Sequence, residues 1–193
     1  MSCIETVMFK TGIKGKLDKE DIIEAICCDS DARGDICSYS QRRVLNFIGD
    51  SLSSIIESVN LDTLNYIKSF DYEDVYMVDV KVKEIEFSKE DVYSAIKDRS
   101  YFSKLCKLFD DNNIEYDKLT IADFFFLSVE DELTKEELMD EKTIEWLQSF
   151  FDNETSIKFI AEHKKDIFNI LDDFCDELDD LDDNDDDGNV YYT

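Results

Sequence analysis

A chain of 193 residues with 48 Asp and Glu against 21 Lys and Arg carries a formal charge of −27. That excess repels phosphates, which argues against direct contact with nucleic acid or with an anionic membrane surface. An apolar content of 43 %, including 14 Phe and 9 Tyr, excludes a disordered chain and supplies a real core.

No run approaches the roughly 18 apolar residues that read as a membrane span. Residues 1–7 lack the basic and apolar segments of a signal peptide. The expectation is an intracellular, cytoplasmic protein whose six cysteines (Cys3, Cys27, Cys28, Cys37, Cys106, Cys175) are free thiols. There is no proline, so turns fall to Asn, Asp and Gly. The abundance of Lys, Ile, Asn, Asp and Tyr points to AT-rich coding, as in a virus, a phage or an AT-rich microbe.

Residues 5–14 alternate, with Val7, Phe9, Thr11 and Ile13 on one side, and predict a strand. Asp18 then caps a helix through about Cys28, with acids in its first turn. The polar stretch 29–38 reads as a loop. Cys27, Cys28 and Cys37 bracket that loop but lack a fourth ligand and the spacing of a zinc site, which favours buried thiols. From Ser40 a second helix is expected, because Val44, Phe47, Ile48, Leu52, Ile55, Ile56 and Val59 recur at helical spacing. A short helix at 61–69, with Asp62 as cap, follows.

Residues 75–85 read as a second strand, with Tyr76, Val78, Val80 and Val82 on one face. The phase flips after Glu84, which marks a bulge or the end of pairing. Ser88 opens a helix through about Phe109. The starts Leu17-Asp-Lys-Glu-Asp, Phe87-Ser-Lys-Glu-Asp and Leu133-Thr-Lys-Glu-Glu echo one another. Each is a capping box, and the simpler reading is three well-made helix starts. A duplicated strand–helix unit, with both strands in one sheet, is the alternative.

The second half reads as helical. Thr120 caps a segment around Phe124–Phe126 that is apolar nearly all round and so central. Helices at 135–151 and 154–178 complete it, the last with Ile157, Ile160, Ile167, Ile170, Leu171, Phe174 and Leu178 as its buried stripe. Trp146 belongs with Leu147, Phe150 and Phe151 in the core. His163, the single histidine, lies in a charged stretch with no catalytic companion in sequence.

From Asp172 to Asp187, eleven of sixteen residues are acidic and none is basic, leaving −16 for the rest. Both body and tail are therefore acidic. Carboxylates sit badly at a helix C-terminus, so fraying is expected from about 179 and disorder beyond. Asp183, Asp185 and Asp187, followed by Gly188 and Asn189, match the start of an EF-hand loop and form a weak calcium candidate. Thr193 stands one place short of the loop's bidentate Glu.

The fold class expected is α+β and mostly helical. A small sheet from two strand–helix units (strands at about 5–14 and 75–85) precedes a helical C-terminal half. Residues 1–178 form a single domain and 179–193 an acidic tail. No catalytic constellation stands out, so no enzyme is expected. Charge without chemistry points to a binding module that docks on a basic protein, or in the basic groove of a nucleic-acid-binding protein as a phosphate mimic. Inhibitor, adaptor and chaperone are the forms considered. The candidate contacts are Asp172, Asp173, Asp176, Glu177, Asp179, Asp180, Asp182 and Asp183. The alternative is a viral or phage assembly component that self-associates through helices, and the oligomeric state stays open.

Overall fold

A computed structural model describes residues 2–68 and 74–186, with side chains placed through residue 181. It is an α+β fold, mostly helical, with one three-stranded antiparallel sheet. Contacts divide the chain into two compact units. The first comprises the chain up to Leu45 together with Asp50–Glu86; the second comprises Asn46–Gly49 and everything from Phe87 onward. None of the described helices is long and apolar enough to cross a membrane.

In the first unit, strand β1 (Ser2–Thr11) pairs with β3 (Asp74–Lys83), which pairs in turn with β2 (Ile56–Ile67). The alternation read from the sequence sets the inner face: Val7, Phe9, Val78, Val80 and Val82 are buried. Helix α1 (Lys19–Cys28) covers that face with Ile22, Ala25 and Ile26, beside α2 (Ser30–Ile36). Asp18 and Asp21 form the expected capping box. Residues 29–38 are not a loop throughout. Asp29 accepts from the amides of Asp31 and Ala32 and so starts α2, which runs through Gly34.

The long helix expected from Ser40 is corrected to three elements: α3 (Tyr39–Ile48), a 3-10 turn (Leu52–Ile55) and β2. Its apolar residues are mostly buried as expected, but on different backbones. Gly49, at φ +80°, ends α3, with Gly49 N–H bonding Asn46 O and Asp50 N–H bonding Leu45 O. This is a Schellman stop, and it outweighs the helical spacing. The helix expected at 61–69 is likewise strand as far as residue 67. Asp62 caps no helix; its N–H donates to Asn60 Oδ1, and Thr63 Oγ1–H donates to Asn60 O, within β2. These bonds lie at a break in register between Asn60 and Asn65. Residue 69 lies outside the described residues.

The second unit holds α4 (Lys89–Ile96), α5 (Ser100–Asp111), α6 (Lys118–Glu130), α7 (Lys135–Leu138), α8 (Glu141–Ser149), α9 (Glu154–Glu162) and α10 (Lys164–Asp186). Ser88 and Thr134 complete capping boxes with Asp91 and Glu137. The two strands of the sequence echo do pair, but α1 packs on the sheet while α4 packs on α6. A shared helix start therefore accounts for the echo. Asp117, rather than Thr120, caps α6. As expected, α6 is central: Ile121, Ala122, Phe124, Phe125 and Val129 are all buried. Tyr101, Phe125 and Phe174 form a triangle of rings with centroids 4.7–4.9 Å apart. Phe109 gathers Tyr116, Phe151 and Phe159 in a second cluster.

Candidate acidic docking surface

The charge is unevenly shared. The first unit has 17 acidic and 10 basic residues, a net −7; the second has 31 and 11, a net −20. Within the second unit, α10 is two-sided. Ile167, Leu171, Phe174, Cys175 and Leu178 are buried, and the carboxylates of the sequence-predicted site flank them. The helix runs past residue 179, where fraying was expected, to Asp186.

Ahead of that point, cations on neighbouring helices lie beside the carboxylates of α10. Lys135, at the start of α7, lies 2.7 Å from Asp172 and 3.0 Å from Asp176. Lys104 of α5 lies 2.8 Å from Asp173, and Arg99, which caps α5, lies 2.6 Å from Glu177. Each pair is at least partly exposed, so each is worth little by itself. Their arrangement still matters, because four of the eight predicted contact carboxylates already face cations of this chain. The two carboxylates on Lys135 hold its ammonium pKa well above the usual lysine value. Asp179 and Asp180 are exposed. Asp182 and Asp183 belong to the α10 backbone, and their side chains lie outside the described residues. So does the side chain of Asp185, and Asp187 and Asn189 lie outside entirely, so the calcium motif is not described. Among the described residues, no group of three or more His, Cys, Asp or Glu could hold a metal ion.

A second acidic surface was not singled out in the sequence. From Glu130 to Trp146 there are eight carboxylates and two lysines, a density that a charge count in short windows detects. This stretch folds as the end of α6, α7 and the start of α8. It encloses a groove of about 590 Å3 lined by Asp131, Glu136, Glu137, Asp140, Lys142 and Trp146, among others. The walls are held by local bonds. Glu137 accepts from the Thr134 amide and hydroxyl, both at 2.9 Å, which keeps its carboxyl below the ordinary range. Asp140 accepts from Lys142 N–H at 2.8 Å and caps α8, and Thr143 Oγ1–H donates to Glu137 O at 2.7 Å. Lys135 pairs with α10, so its charge is already committed there.

Trp146 packs on Phe124 and Phe150, at 5.0 and 5.3 Å, as its apolar neighbours in sequence suggest. It is nevertheless only half-buried and lines the groove. Carboxylates beside an indole suit an ammonium or guanidinium group, which gains both Coulomb and cation–π attraction.

Of the thiols expected to be buried around residues 27–37, Cys37 is buried and Cys27 partly so, but Cys28 is exposed, as is Cys3. Burial pushes the thiols of Cys27, Cys37 and Cys175 up to about 11, so they are protonated at neutral pH. His163 caps α9; its Nδ1–H donates to Phe159 O at 3.0 Å and its ring lies on that of Phe159. The chain matches no protein-family model, no curated protein and no solved structure.

Proposed function

We propose that this chain is an acidic binding protein whose second unit docks on a basic surface of a partner protein. The observation that carries the reading is the −20 concentrated on that unit, together with a carboxylate-lined groove that has an indole in its wall. The groove between α6, α7 and α8 is the preferred contact, because the α10 carboxylates from Asp172 to Glu177 already have cations beside them. An arginine or lysine side chain of the partner enters the groove, and the wider field speeds and orients the encounter. Inhibitor, adaptor and chaperone roles, including occupation of a phosphate-binding groove, all fit this chemistry.

Trp146 is the only tryptophan, so its emission reports on the groove. An octa-arginine peptide titrated into the full chain should shift that emission, and the shift should weaken as salt shortens the Debye length from about 10 Å at 0.1 M to about 3 Å at 1 M. Asp131→Asn with Glu136→Gln should weaken binding more than the same charge removal at Glu24 and Asp31 of the first unit. Equal losses from both pairs would mean that only net charge is read and would refute a localised site.

A further inference from the structure

We infer that the outer face of the β-sheet is a self-association surface, and that a second copy of this chain covers it. Directly opposed residues of an antiparallel pair point to the same side. The register therefore sets Met8, Met77 and Asn65 in one outer row and Lys10, Val75 and Ile67 in the next. Ile4 and Lys81 stand two rows from Met8 in the other direction. An antiparallel sheet with one face toward water ordinarily carries polar side chains there. Here Ile4 is 70 % exposed and Met8 50 %. Of the seven large exposed hydrophobic residues among those described, Ile4 and Met8 are the two that the register places on this face. Met side chains also repack readily against a partner.

Charge selects the occupant. The outer face carries Lys10, Lys81 and Lys83 against Glu57 and Asp79, so it lacks the negative excess of the chain as a whole. A strongly basic partner finds no attraction there. Two copies of this chain repel least across this near-neutral face, and a two-fold contact there sets the exposed Ile4 and Met8 of both copies in one interface, among rows that each also hold a polar side chain. Such a contact uses the unit with −7 rather than the one with −20. Three strands about 4.8 Å apart and ten residues long give a footprint of about 500 Å2, near the lower limit for specific interfaces. The dimer is therefore weak and concentration-dependent.

Sedimentation velocity of the full chain, from about 1 to about 200 µM, tests this across the range where weak dimers form. The mass should rise from 22.6 kDa toward twice that value with concentration. Added salt should strengthen the dimer, because it screens repulsion between two copies. Salt has the opposite effect on docking to a basic partner, so the two proposals fail separately. Ile4→Thr with Met8→Thr retains strand propensity and should weaken the dimer about tenfold or more with an unchanged far-UV spectrum. Should that variant unfold, hydrogen exchange of β1 and β3 in the unaltered chain, slower at high concentration, serves instead. A constant 22.6 kDa, a dimer indifferent to the two threonines, exchange independent of concentration, or a dimer lost with Asp131→Asn and Glu136→Gln would each overturn the inference.

Discussion

Phe174 is the residue on which helix α10 turns from a repelling row of carboxylates into a stable element. Its side chain is fully buried, 4.9 Å from both Tyr101 and Phe125 and 6.2 Å from Phe47 by ring centroids. Phe174→Ala removes the apolar transfer energy of the ring and leaves a cavity, at a cost of about 3–5 kcal/mol. Three aromatic neighbours place the cost toward the upper end of that range. Domain stability is only about 5–15 kcal/mol, so the variant approaches the limit of folding. With a denaturant slope of about 2 kcal/mol/M, the urea midpoint falls by about 2 M. Trp146 fluorescence is the assay, because that residue reports on the second unit alone. The lost interaction is apolar, so the shift should be the same at low and high salt. A loss below about 1 kcal/mol, or one that vanishes in high salt, would mean that the ion pairs to Arg99, Lys104 and Lys135 hold the helix instead, and would refute the packing argument.

Further outcomes follow from other contacts. Ser88→Ala removes the hydroxyl that accepts from Asp91 N–H and should cost about 1 kcal/mol, measured by urea unfolding. Glu137→Ala should destabilise the second unit at pH 7. Bonds from Thr134 lower the folded-state pKa of Glu137, so its contribution is complete above the unfolded carboxylate range and is lost as pH falls through the folded value. The gap in melting temperature between variant and parent should therefore close on acidification below about pH 4. Deletion of residues 179–193 should leave the octa-arginine response of Trp146 in place, since the groove lies between α6 and α8; loss of the response would move the site to the tail.

Much of this fold was legible because its signals are local. Strand alternation placed Val7, Phe9, Val78, Val80 and Val82 correctly on one buried face. Asp18 and Ser88 announced their helices through bonds three residues away. Strand β2 was not legible for a non-local reason. The spacing of Val44, Ile48, Ile55 and Val59 satisfies a helix, and only pairing with β3 decides otherwise. Gly49-Asp50 was the available signal, a stop that helical periodicity alone does not register. The acid-rich run of α10 was visible as composition. Its pairing with Lys104 and Lys135 was not, because those lysines are 69 and 41 residues from Asp173 and Asp176. The apolar neighbours of Trp146 in sequence point to the core, where it meets Phe124, but do not reveal the part of it that lines the groove beside α7.

Helix α3 crosses the partition between the two units: Val44 and Leu45 are counted with the sheet, whereas Phe47 meets the ring of Phe174. A gene fragment starting at Phe87 would omit that ring, although it encodes every helix from α4 to α10. Anyone dissecting the protein by truncation would thus be handling a weakened piece, and would do better to graft residues 46–49 onto it or to study the whole chain.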